Sequence, residues 1–113
     1  MRRWPVGEAA AGVRRRHGTG SSVVAAVGDL DRHFAWASVT KLLVALSVLV
    51  ATEEGVLGLD DPAGPEGSTV RHLLAHASGL GPDALVPLTA PGRRRIYSNA
   101  GYEVLADTLA RRA

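Results

Sequence analysis

Ser38 and Lys41 stand three positions apart in the run Ser38-Val39-Thr40-Lys41. A serine hydroxyl attacks a carbonyl only when a neighbouring group takes its proton. Residues three apart on a helix share one face, a turn apart, so the spacing predicts Lys41 beside the Ser38 hydroxyl. A buried lysine can give up its proton, whereas arginine stays charged. The chain carries twelve arginines and a single lysine, and the lysine holds this position. The chemistry expected of the pair is acyl transfer through a serine nucleophile. By itself, the spacing also describes a helix-capping serine followed by a surface lysine, but the apolar run from Leu42 to Ala51 leaves such a lysine little polar face.

Tyr97-Ser98-Asn99 offers a second group. A phenolate near an ammonium can act as a general base. An asparagine amide both donates and accepts, so it can orient a lysine or a substrate carbonyl. The plainer reading is a packed tyrosine and an asparagine cap at a helix start. His72 and His76 have a spacing that suits zinc. No Glu follows His72 directly and no third ligand is clear, so both are read as packing or capping residues. No metal and no cofactor are expected.

These residues need elements to position them. Ser38 is a good N-cap for a helix from Val39 to about Glu54, with Gly55 as its stop. That helix is apolar on nearly all sides, which predicts burial on nearly all sides. It also predicts free N–H groups at its first turn, available to an oxyanion. Ser68-Thr69 opens a second helix over Val70 to about Ala77, ended by Gly79. Residues 80–96, with three prolines and two glycines, read as loop. Ser98 or Asn99 caps a last helix reaching toward Ala113, with Tyr102, Leu105, Ala106 and Leu109 at helical spacing. Upstream, Ser21 to Val27 is a strand closed by Gly28-Asp29, and Asp31 to Trp36 is expected to pair back with it as a hairpin. Residues 1–20 read as irregular, and the rest of the chain as one domain over 21–113.

Composition narrows the class. The 113 residues are 46% hydrophobic and 21% charged, as in an ordinary globular protein. No cysteine is present, which excludes disulfides and thiolate metal sites. The net charge is only +2, although arginine runs occur at 14–16, 93–95 and 111–112. Such runs can contact phosphate, but no aromatic residues interleave with them to stack on bases. A solvated basic surface is the plainer reading, and a nucleic-acid-binding module ranks behind the enzyme. The Met1–Val6 stretch has no apolar run behind it, so no signal peptide is expected and the location reads as cytoplasmic. The run Leu42 to Ala51 is too short to span a bilayer.

Taken in order, four blocks resemble the serine β-lactamase family, in the branch of class C β-lactamases, DD-carboxypeptidases and related esterases. They are Ser38-Val39-Thr40-Lys41, then Glu54 to Pro62, then Thr69 to Leu80 with its His-Leu-Leu-Ala-His-Ala-Ser-Gly-Leu core, then Tyr97 to Tyr102. Ser-x-x-Lys is a motif of this superfamily. The resemblance runs from about residue 21 to residue 113. It implies an α/β (α+β) fold of the β-lactamase/transpeptidase type. It further implies a covalent acyl-enzyme on Ser38, a proton network shared by Lys41, a general base at Tyr97, and an Asn99 that contacts Lys41 and substrate. The substrate would be a β-lactam, a D-Ala-D-Ala peptide or an ester, so penicillin binding and esterase activity are both within reach.

The same family carries a third motif, Lys-Thr-Gly or His-x-Gly, on a late edge strand lining the cleft. Fourteen residues follow Asn99 here and none provides it. The expectation is therefore an incomplete version of the fold: an N-terminal hairpin and a helical region without the C-terminal sheet strands. Such a chain is expected to be the first part of a longer protein, a truncated and inactive gene product, or half of an assembly that completes the sheet in trans.

Overall fold

A computed structural model describes residues 7–113; the readings made for Met1–Val6 lie outside them. The chain forms two compact units, one ending at Ala35 and one running Trp36–Ala113. A two-stranded sheet belongs to the first and the helices to the second, in keeping with the expected partial fold.

The sheet is built from different strands than the expected ones. Strand β1, Ala11–His17, pairs antiparallel with β2, Gly20–Val27, across a two-residue turn with Gly18 at φ +55°. Thus the segment read as irregular contains a strand, and residues 31–36 contain none. The reason lies in the side chains. Every residue of β1 is exposed, so Val13-Arg14-Arg15-Arg16 shows no buried alternation for a reader to find. After β2 the chain turns away. Asp31 N–H donates to Asp29 Oδ1 at 3.0 Å, closing a local turn in place of a ladder. Gly28 has φ +80°, and a Cβ there would lie 2.2 Å from the Ala9 carbonyl oxygen, so only glycine fits. Arg32 pairs with Glu8.

The second unit is helical. Helix α1 spans Thr40–Glu53, preceded by a 3₁₀ turn over Ala37–Val39. Gly55, at φ +72°, ends it as expected. Helix α2 is only Val70–Leu74, shorter than the run to Ala77, because the chain passes through His76 at φ +56°. Thr69 N–H donates to His72 Nδ1 at 3.2 Å, which gives His72 the capping role foreseen for it. Helix α3 is Asn99–Ala110, and Ser98 rather than Asn99 caps it, accepting from Gly101 N–H at 2.8 Å.

Helix α3 packs against both α1 and α2. The core joins Val48 and Ala51 of α1, Leu57, Val70 and Leu73, Leu80, and Leu105 of α3. Burying a leucine such as Leu105 fully contributes about 1.5–3 kcal/mol. Helix α1 departs from its expected burial: only Val48 and Ala51 are buried, while Leu42 and Leu46 are 69% and 58% exposed. An all-apolar helix specifies that all its sides should be covered, and α3 meets only one of them.

The segment between α2 and α3 is tied down along its length. Gly92 N–H donates to Ala77 O, Leu88 N–H to Gly79 O, and Ile96 N–H to His76 O, each at 2.8 Å. Asn99 N–H donates to Pro82 O at 2.7 Å. Gly79 has φ +90°, and a Cβ there would meet the Thr89 carbonyl oxygen at 2.1 Å. This irregular stretch is therefore a rigid support, and it delivers Tyr97-Ser98-Asn99 to the start of α3.

Candidate active site

Ser38 sits in the middle of the 3₁₀ turn and does not cap α1; the N-cap position belongs to Val39. Tightening the first turn has two effects. It uses N–H groups that the sequence leaves free: Val39 donates to Trp36 O at 2.9 Å, and Thr40 donates to the Ala37 and Ser38 carbonyls. The Val39 and Thr40 N–H groups are therefore taken up within the turn. The turn also releases the Ser38 side chain from capping. Lys41 Nζ now donates to Ser38 Oγ at 3.3 Å. Ala37, immediately before the serine, has φ +44°, a strained conformation for a residue with a Cβ.

Lys41 is half-buried, not sealed in an apolar wall. Polar neighbours hold its ammonium instead. It donates to Asn99 Oδ1 at 2.6 Å, and it lies 4.9 Å from the centroid of the Tyr97 ring, within cation–π range. The Tyr97 phenol is exposed and is held below its ordinary pKa, first by the Ser38 hydroxyl and then by Lys41. All four expected site residues, Ser38, Lys41, Tyr97 and Asn99, thus come together through Lys41.

Each of the three residues at 97–99 has a separate task. Ser98 turns inward and is 1% exposed. Its hydroxyl donates to Gly81 O at 2.6 Å and accepts from Gly101 N–H. Tyr97 and Asn99, on either side of it, are exposed and face Lys41. The alternation follows from the extended backbone of Ser98, φ −131° and ψ 117°, which sends successive side chains to opposite sides.

Two residues of the site were missed by sequence reasoning. Asp83 accepts from Asn99 Nδ2 at 2.6 Å. Its carboxylate fixes which way the Asn99 amide points, so that the amide oxygen meets Lys41. No spacing rule marks Asp83, because it reaches the site from a Pro- and Gly-rich loop. The second is His76. It lies within the block Thr69 to Leu80, where the sequence points to packing or capping, and its ring packs against Tyr97 at a tilt of 34°. A cleft of ≈ 440 Å³ opens beside Lys41, Asp83, Asn99 and Tyr102. The arrangement can bind a small polar group and move a proton between Ser38, Lys41 and Tyr97. Among the described residues, no group of three His, Cys, Asp or Glu could hold a metal ion, and no helix is long and apolar enough to cross a membrane.

A family model described as Beta-lactamase matches residues 2–113. That match starts well upstream of residue 21, so it takes in β1 and the segment read as irregular. Among solved structures, the chain is similar to a beta-lactamase from Mycobacterium bovis at 53% identity, with a TM-score of 0.78. The match covers 96% of this chain and 39% of that one, so this chain spans well under half the length of its structural neighbour. Among curated proteins, none matches.

Proposed function

From the premise that the chain belongs to the beta-lactamase family, we propose that its site works as a serine hydrolase through a covalent acyl-enzyme on Ser38. The substrate class is a β-lactam, a D-Ala-D-Ala peptide or a small ester. In the forward step the Ser38 hydroxyl proton passes to the Tyr97 phenolate, and Oγ forms a bond to the substrate carbonyl carbon. The C–N bond of a lactam or peptide, or the C–O bond of an ester, then breaks, and the leaving atom takes up the proton. Water repeats the sequence on the acyl-enzyme, freeing Ser38 and an acid. Lys41 keeps charge balanced between Ser38 and Tyr97. Asn99 orients Lys41 and the substrate carbonyl.

One observation carries this reading: Lys41 Nζ donates both to Ser38 Oγ at 3.3 Å and to Asn99 Oδ1 at 2.6 Å. A lysine serving only as a solvated surface charge has no need of two fixed partners. The test is incubation with a fluorescent penicillin and an activated ester, followed by intact-mass analysis and peptide mapping. An adduct on Ser38, lost in Ser38→Ala, is expected. Folded protein that gains no adduct from any of these probes would refute the proposal.

A second reading is a chain that keeps the family's elements but not its reaction. It is favoured by coverage: the chain matches 39% of the length of its structural neighbour. Under that reading, a cooperative melt accompanies a complete lack of acylation. Under an assembly in trans, adding a separate chain that bears a Lys-Thr-Gly or His-x-Gly motif restores labelling.

A further inference from the structure

His76 is 7% exposed and lies outside the four residues to which the proposed reaction assigns a role. Three of its contacts converge on the turn that carries Tyr97 and Asn99. Its Nδ1 accepts from Ser98 N–H at 3.1 Å. Its carbonyl oxygen accepts from Ile96 N–H at 2.8 Å. Its ring lies between two tyrosines, with centroids 4.6 Å from Tyr97 and 4.8 Å from Tyr102. The backbone at His76 has φ +56°, a conformation that a non-glycine residue adopts at a cost. One residue thus grips the backbone on both sides of Tyr97 and braces its ring.

We infer that His76 is a positioning residue for the acylation site, holding Tyr97 and Asn99 toward Lys41 by accepting the Ser98 N–H on an unprotonated Nδ1. This rests on the reading of Tyr97 and Asn99 given above. The chemistry specifies a single form of the ring. An imidazole nitrogen that accepts a backbone N–H carries no proton, so the proton of the neutral ring sits on Nε2. An imidazolium would present a donor to a donor and push the turn away. The surroundings favour the neutral ring. Burial lowers the His76 pKa, and the positive charges of Arg95 and Lys41 lower it further. The charge of Lys41 acts on this ring from α1 and that of Arg95 from the loop before α3, while Tyr97 from that loop and Tyr102 from α3 pack against it.

A simple packing role would depend on the ring and not on the nitrogen. Two variants separate these. His76→Asn places an amide oxygen near the position of Nδ1 and tolerates positive φ, but it removes the ring. His76→Phe keeps a ring between the tyrosines and removes the acceptor. Acylation by fluorescent penicillin is measured across probe concentrations, giving a saturating rate and a half-saturating concentration. The Phe variant is expected to lose roughly tenfold in saturating rate, the worth of about one hydrogen bond, with little change in half-saturation. The Asn variant should recover most of that rate. Equal losses in both variants, or no loss in the Phe variant, would overturn the inference.

The wild-type chain supplies a readout that depends neither on folding of the variants nor on turnover. Nitrogen NMR of the histidine rings should show the His76 Nδ1 as an unprotonated acceptor and Nε2 as protonated. Amide exchange should show Ser98 N–H protected. The opposite tautomer, or a freely exchanging Ser98, refutes the inference even if the chain is an active hydrolase. The expected tautomer and protection in a chain that no probe acylates would instead refute the proposed reaction and leave the positioning contact standing.

Discussion

Lys41 Nζ and Asn99 Oδ1 are 2.6 Å apart although 58 positions separate them in the chain. The contact joins the first turn of α1 to the first turn of α3 at the point where Ser38 is presented. It also orders the amide: with Oδ1 committed to Lys41, Nδ2 turns to Asp83. Three side chains from three segments therefore form one line of donors and acceptors.

Lys41→Arg keeps the charge and is expected to remove the reaction. A guanidinium is a planar fork rather than a compact ammonium, too large for a position with partners at 3.3 and 2.6 Å, so the proton transfer from Ser38 to Tyr97 loses its alignment. The acylation rate should fall about 10²–10⁴-fold, the usual worth of a positioned proton-transfer group. Stability should move by less than about 1 kcal/mol, as for other partly exposed polar contacts. Stopped-flow labelling and urea melts measure the two effects.

Asp83→Ala frees the Asn99 amide to rotate. The acylation rate should fall about tenfold, the loss of one well-formed hydrogen bond at an exposed site. Asp83→Asn retains an acceptor oxygen and should recover part of the rate. A pair of second-order acylation constants for the two variants is the measurement.

Ser98→Ala should act on the fold and on the site together. It removes the cap of α3, and it leaves the Gly81 carbonyl without its donor in a buried place. The combined destabilisation is about 2 kcal/mol. A urea denaturation curve should show a lower midpoint with an unchanged slope.

The pH profile of acylation should report Tyr97. The deprotonated phenol is the base, so the rate is present above its pKa and lost as pH falls through it. Because Ser38 and Lys41 hold that pKa below its ordinary value, the acid limb should lie below the usual phenol range near 10. Tyr97→Phe should abolish the limb along with most of the rate.

Much of this was legible in the residues, and the boundary is physical. Helix α1 showed through its apolar run and Gly55, and α3 through Ser98 and the spacing of Tyr102, Leu105 and Leu109. The nearness of Ser38 and Lys41 was readable from helical spacing, and the order of the later blocks gave it meaning, although the turn that makes it is 3₁₀ and the serine is no cap. Strand β1 was hidden because its pairing uses backbone groups while its arginines stay in solvent. Asp83 and His76 were hidden because their roles depend on how the loop between α2 and α3 folds back. Neither periodicity nor motif spacing records a bond such as Asn99 N–H to the Pro82 carbonyl. The exposure of α1 was missed for another reason: an apolar sequence states what a helix needs, not what the described chain provides.

The backbone at Gly79, where a Cβ would meet the Thr89 carbonyl oxygen, divides the loop after α2 into places that can vary and one that cannot. Residues 82–88 are all exposed, and apart from Asp83 their side chains touch none of the site residues through a hydrogen bond. A library randomised at residues 84–87 should yield many folded members. A library randomised at Gly79 should collapse to glycine. Diversification of this loop is thus compatible with a fixed point that itself tolerates no change, and directed evolution of this chain should be aimed accordingly.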